Sequence, residues 1–197
     1  MTTAPGESLL SLLQDKLGPL VLCASIGVDQ PEIEILRSSV SQVFPLLRDE
    51  PDLLFDMLLS VTVVDFSAAG ELPFKRAEKE RFQVVYHLLS LSHNRRLRVK
   101  AAVPAEDPRI DSLCFLWESA NWMEREAWDM FGVVFTGHPD LRRILLYDEF
   151  EGHPLRKDYP LRKKQPRVKM RYPEVRNTSM DLSRPEIPRR APGGGNE

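Results

Sequence analysis

The chain has very little cysteine. Two cysteines, Cys23 and Cys114, stand alone in 197 residues, and neither belongs to a Cys-x-x-Cys pair. An iron–sulfur cluster takes about four thiolates, and a structural zinc site four Cys or His ligands. The chain cannot supply the thiolates for a cluster by itself. Both cysteines are expected to be small, buried, apolar residues. Other signatures are missing too: Gly-x-Gly-x-x-Gly, the P-loop pattern, Gly-x-Ser-x-Gly and any Cys/His nucleophile arrangement. No apolar run approaches the roughly 18 residues of a membrane-spanning helix. The first residues, MTTAPGESLLSLLQDKL, lack a basic n-region and carry Glu7 and Asp15, so they do not read as a signal peptide. A formal net charge of −2 excludes the whole chain from the basic nucleic-acid binders. The default expectation is a soluble protein on the cytoplasmic side.

What is present suffices for a core, since 42% of residues are apolar. Charge is unevenly placed. Residues 1–60 are rich in Asp and Glu, whereas residues 162–197 carry ten Lys and Arg, five prolines and a GGGNE end. Such a tail cannot build a packed core alone and is expected to be extended. The folded domain is therefore placed at residues 1–161, with a basic, proline-rich tail at 162–197.

Within the domain, ESLLSLLQDKL (7–17) has helical spacing and stops at Gly18-Pro19. LVLCASI (20–26) and EIEIL (32–36) read as a hairpin. A helix follows over SVSQVFPLLRDE, where Pro45 argues for a break or kink. Val61 to Val64 reads as strand, Leu53 to Leu59 is ambiguous, and residues 67–80 form a polar connection. RFQVVYHLLSL and RRLRVKAAVP, separated by Ser92-His93-Asn94, read as an antiparallel hairpin. A last helix, capped by Asp111 or Ser112, places Leu116, Ala120, Met123, Ala127, Met130 and Phe131 on one face and stops at Gly132. Val133 to Phe135 is a short strand-like piece. The implied fold is α+β: a two-layer sandwich of a mixed or mostly antiparallel sheet with helices on one face, followed by an irregular charged loop region and an extended tail.

The most unusual stretch is EREAWDMFGVVFTGHPDLRRIL (124–145), followed by EGHPLRKDYPL (151–161). Gly-His-Pro occurs twice, each time shortly before Leu-Arg. The helix side opposite the apolar stripe carries Trp122, Arg125, Glu126 and Asp129, and Arg125 and Asp129 are one turn apart and can pair. Trp and Arg together are enriched where proteins bind one another. The loop beyond has few regular backbone bonds, so its arginines and carboxylates must satisfy carbonyls and amides. No spacing forces His138, His153 and two carboxylates to converge on a metal. Glu124, Glu126 and Asp129 each have an arginine near in sequence, so acid–base work is disfavoured against a structural and interfacial network.

These two segments closely resemble the signature of the C subunit of the proton-pumping NADH:quinone oxidoreductase, respiratory complex I. The match is continuous from about Trp117 to Leu161 and extends more weakly back to about residue 20. The resemblance implies a non-catalytic docking subunit of the peripheral arm, on the cytoplasmic side of the inner membrane. Membrane association would be indirect, through the complex. It implies packing against the D subunit near the quinone-reducing region, with the B, I and G subunits as further candidate neighbours and no nucleic acid. It implies no flavin, cluster or metal on this chain. FMN, iron–sulfur clusters, NADH and quinone belong to partner subunits, where electron transfer is coupled to proton translocation. The interface residues it implies are Trp122, Glu124, Arg125, Glu126, Asp129, Gly137, His138, Pro139, Asp140, Arg142, Arg143, His153, Arg156, Lys157, Asp158 and Tyr159. Two alternatives stay open. One is the equivalent subunit of a membrane-bound hydrogenase or a ferredoxin- or plastoquinone-linked complex. The other is a stand-alone metal enzyme using His138 and His153.

Overall fold

The structure, a computed structural model, describes residues 5–66 and 80–166, with side chains of the first helix described from Ser8 onward. The polar connection and most of the basic tail lie outside the described residues.

The first helix, α1 (Pro5–Leu17), buries Leu9, Leu13 and Leu17, which recur every four residues. It ends at Gly18, whose φ of 49° is the left-handed conformation that suits glycine. Strands β1 (Val21–Ile26) and β2 (Pro31–Ile35) form the expected antiparallel hairpin. Helix α2 (Val40–Asp49) runs through Pro45 without interruption. Proline removes one backbone donor, and the residue four positions back, Ser41, is exposed, so water can serve its carbonyl. Burial of Val40, Val43, Phe44 and Leu47 outweighs the lost bond. Ser39 sits at the start of α2 but makes no capping bond.

Strands β3 (Met57–Asp65), β4 (Glu80–Ser90) and β5 (Arg95–Pro104) form an antiparallel meander, with Asn94 at φ 48° closing the β4–β5 turn. Strand β2 joins β5 in parallel, giving a mixed five-stranded sheet of order β1-β2-β5-β4-β3. One face of that sheet is apolar by strict alternation. Ile33, Val99, Tyr86 and Val61 stand side by side across four strands, and all are buried. The apolar sides of the three helices join this face in one core cluster. The opposite face is polar: Glu32 accepts from Lys100 at 2.6 Å and from Arg98 at 3.3 Å.

Two short parallel strands, β6 (Arg109–Asp111) and β7 (Val134–Thr136), flank the third helix, α3 (Ala120–Phe131). A parallel pair needs a crossover, and α3 is that crossover. The helix therefore starts well after Asp111 and Ser112, which do not cap it: Asp111 closes β6, and Ser112 bonds elsewhere. Ser119 is the residue before α3 and makes no capping bond; its hydroxyl donates to the carbonyl of Leu58. Trp117 likewise donates to the carbonyl of Asp56, which ties the α3 approach to edge strand β3. Cys23 departs from expectation. It lies on edge strand β1 and is exposed, because the helices cover the other face there.

At the centre of the core, Tyr86 meets Phe44 edge to face at 4.8 Å. Its side chain is fully buried, and its hydroxyl has no hydrogen-bond partner among the described residues. Leaving a buried donor unmade costs about 1–3 kcal/mol. Tyr86→Phe should therefore be neutral or stabilising, raising the melting temperature by up to a few degrees. A clear loss of thermal stability would mean that the hydroxyl is satisfied in solution.

Candidate functional site

The unusual stretch folds as a strap, residues 137–166, laid across the C-terminal end of α3. Two buried carboxylates, Asp129 and Asp65, anchor it, and a third, Glu124, is buried on the same helix as Asp129.

Asp129 is the central one. It is fully buried, and it pairs with Arg143 at 2.5 Å, not with Arg125 one turn earlier. Its second oxygen accepts three consecutive backbone N–H groups, from Ile144, Leu145 and Leu146, at 3.0–3.1 Å. Successive amides aimed at one point make an anion nest. Burial alone would oppose ionisation of Asp129. The Leu146 amide, the Arg143 guanidinium and the other two amides outweigh it and hold the carboxyl below its ordinary range. Arg143 also donates to the carbonyls of Phe150 and Gly152, and it lies 5.7 Å from the rings of both Trp128 and Phe150.

The last four carbonyls of any helix lack internal partners. In α3 each finds one. Trp128 is served by the N–H of Gly132, Asp129 by Nδ1–H of His153, Met130 by the N–H of Leu155, and Phe131 by Nε–H of Arg156. Three of these four donors come from the strap. Gly132 allows this close approach: its φ is 73°, and a Cβ there would lie 2.5 Å from Arg156 and His153. Burial pushes the His153 imidazole toward its neutral form. Its bond to the Asp129 carbonyl opposes that, and Arg156 and Arg143 reinforce it.

The second carboxylate is Asp65 at the end of β3. Arg81 grips it bidentately at 2.8 and 2.9 Å and reaches Asp158 with its remaining nitrogen, while the amide of Lys157 donates to Asp65 at 2.9 Å. The strap is thereby fixed to the main sheet. Asp65 and Arg81 are absent from the residues expected at the site, because a setting of alternating strand residues carries no signal for them.

The third is Glu124. It is fully buried and accepts from the Ser112 hydroxyl at 2.6 Å and the Leu113 amide at 2.7 Å. A usable signal did exist: Ala120, Glu124 and Ala127 share the spacing of the buried stripe. Burial raises the Glu124 carboxyl above its usual range, against the Ser112 and Leu113 bonds. The Cys114 thiol beside it is pushed up to about 11, first by burial and also by Glu124.

Cys114, Glu124 and His138 bring ligand-type atoms within 4.8 Å of one another. The carboxylate and the imidazole are already engaged. His138 donates from Nε2 to the Asn121 carbonyl and accepts the Asp140 amide at Nδ1, which fixes the orientation of its ring. His153 is not part of this group and binds a different carbonyl, so the two Gly-His-Pro histidines do not form one ligand set. Gly137, Pro139 and Asp140 turn the chain at exposed positions, and Asp140 pairs with Arg142 at 2.8 Å.

The outward residues form the surface. Arg125 donates to the carbonyls of Arg142 and Arg143 and lies 5.2 Å from the Trp122 ring. Trp122 is 63% exposed, and Glu126, Lys157 and Asp158 are exposed as well. Tyr159 stacks on Phe150, and Gln165 ties residues 162–166 to Glu151. Asp129 and Arg143 are engaged with each other and with the strap backbone, and Glu124 with Ser112 and Leu113.

A mixed-sheet α+β body with a carboxylate-anchored strap defines a class whose charges at this site hold a surface in shape. The chain matches the family model for the respiratory-chain NADH dehydrogenase, 30 Kd subunit, over residues 33–165, and it belongs to that family. It is 45% identical to the NADH-quinone oxidoreductase C subunit of Acidithiobacillus ferrooxidans, over 84% of this chain and 79% of that one. It is 39% identical to the corresponding C subunit of Coxiella burnetii, over 80% and 79%. Among solved structures, a trypsin-resistant fragment (1-134) of Nqo5 superposes with a TM-score of 0.58 at 29% identity, covering 68% of this chain and 98% of the fragment. An archaeal membrane-bound sulfane sulfur reductase complex contains the same fold, with a TM-score of 0.65 at 21% identity over 80% of this chain and 87% of that one.

Asp129→Asn should cost about 3–5 kcal/mol, because Arg143 and three amides lose a buried charge. Glu124→Gln should cost less at neutral pH, since burial already disfavours the charged form of Glu124. Urea unfolding at pH 7.5 checks the order, and equal losses would show that the two carboxylates are not distinguished. His153 adds a pH window. Its folded-state pKa is depressed, so its contribution is complete above the ordinary value of about 6.5. That contribution is lost as pH falls from there through the depressed value. His153→Gln should flatten the decline in stability between pH 7.5 and 5; an unchanged slope would refute the assignment.

Proposed function

We propose that the chain is the non-catalytic docking subunit of the peripheral arm of an NADH:quinone oxidoreductase, packing against the D subunit near the quinone-reducing module. The observation that carries this reading is the family match over residues 33–165, joined by relatives named as the C subunit in three bacterial genera. The strap geometry supports it. Buried charges hold an irregular segment in one shape, which a rigid partner surface requires, and the buried carboxylates and both strap histidines are engaged in structural bonds. In this reading FMN, iron–sulfur clusters, NADH and quinone sit in partner subunits, and the strap and outer face of α3 meet a neighbour.

Among the described residues no helix is long and apolar enough to cross a membrane. In the proposed role, attachment at the cytoplasmic face of the membrane runs through the rest of the complex. The equivalent role in a hydrogenase-like or ferredoxin-linked complex has only a shared fold in its favour.

Deleting the gene should abolish NADH-driven quinone reduction in membranes, while NADH oxidation by an artificial flavin acceptor survives. Native purification through a tag on this chain should recover the D subunit. The purified chain alone should show no visible absorption band and no stoichiometric metal. Unimpaired NADH:quinone activity without the chain would overturn the proposal.

A further inference from the structure

Glu118, Trp122 and Glu126 recur every four residues along the outer side of α3 and the turn leading into it, and all three are exposed. Neither Glu118 nor Glu126 makes an ion pair among the described residues. The other two carboxylates of α3 are spent internally, on Ser112 and Leu113 and on Arg143 and the strap amides. The cation beside the strip, Arg125, is committed as well: it donates to two strap carbonyls and stands 5.2 Å from the Trp122 ring. The indole is thus backed by a fixed guanidinium on a helix pinned at both ends. On the strap, Leu145 is 61% exposed while its own amide is held by Asp129.

A rigid indole between two carboxylates with no ion pair among the described residues has a definite chemical complement. We propose that this strip docks a basic amphipathic segment of another subunit of the complex. An aliphatic side chain of that segment covers Trp122, and Lys or Arg side chains reach Glu118 and Glu126. With the turn continuing at about the helical rise, the two carboxylates are about 12 Å apart along the axis, a span that two basic residues about two helical turns apart on the partner can match. The preformed cation–ring contact lowers the ordering cost of the indole, and a buried tryptophan of this kind is a typical interface hot spot. Nucleic acid and anionic lipid would be repelled by the same carboxylates. The inference rests on the docking role proposed above.

The test uses the assembled complex. Benzoylphenylalanine in place of Trp122 is photoactivated after native purification, and the captured peptide is sequenced. Capture of a segment from another subunit with Lys or Arg flanking an aliphatic residue is the expected result. In parallel, Trp122→Ala and the double variant Glu118→Lys/Glu126→Lys should each cut recovery of the complex at least tenfold at about 150 mM salt, near physiological ionic strength. Their melting temperatures should stay within a few degrees of the parent. The milder Glu118→Gln/Glu126→Gln pair should fall between and be less salt-sensitive. If the chain copurifies with the complex but position 122 captures nothing, or captures an acidic segment, the strip is not the dock and the docking role stands. If the parent chain does not copurify at all, the docking role itself falls, and this inference with it.

Discussion

The architecture depends on the ionised carboxylate of Asp129. A buried charge is costly unless it is paired and hydrogen-bonded, and Asp129 is both, through Arg143 and three consecutive amides. Because the amides belong to the strap, the charge cannot be satisfied unless the strap lies where it does. Once it does, His153, Leu155 and Arg156 reach the open carbonyls of α3. Helix end, buried charge and loop conformation thus solve one another's hydrogen-bonding problem.

Asp65 and Arg81 extend this arrangement to the sheet. The Lys157 amide reaches Asp65 across 92 residues of sequence, so the strap is tied to β3 as well as to α3. This makes an irregular segment behave as part of the body. It also explains why so many charged residues are drawn into structure: arginine donates from a fixed planar fork, suited to carboxylates and carbonyls together. On the outside, Glu118 and Glu126 beside Trp122 form no ion pair among the described residues and stand apart from the internally neutralised network.

The cluster of Cys114, Glu124 and His138 shows the same logic from the opposite side. Its atoms are close enough to suggest a ligand set, yet Glu124 and His138 already accept from amides and a hydroxyl. Glu124 differs from Asp129 because, among the described residues, no guanidinium pairs with it. Burial therefore drives its carboxyl toward the neutral form, while Asp129 stays charged.

By itself the sequence determined what depends on neighbours a few residues away. Two strand-type runs, RFQVVYHLLSL and RRLRVKAAVP, with the short polar turn Ser92-His93-Asn94 between them, made the β4–β5 hairpin readable. The four-residue leucine spacing announced α1, and Gly132 marked the end of α3. Each follows from local periodicity or one residue's backbone freedom. Tertiary structure alone decided which charges lose water. Asp129 pairs with Arg143 rather than Arg125 because the strap, laid over α3, brings a guanidinium and three amides to one point, whereas Arg125 is drawn outward to the Arg142 and Arg143 carbonyls. The same holds for the role of Asp65 and Arg81, the parallel β6–β7 pair and the exposure of Cys23 on an edge strand. A short-range pattern can announce a helix or a strand. Which carboxylate is desolvated depends on what the rest of the chain places above it.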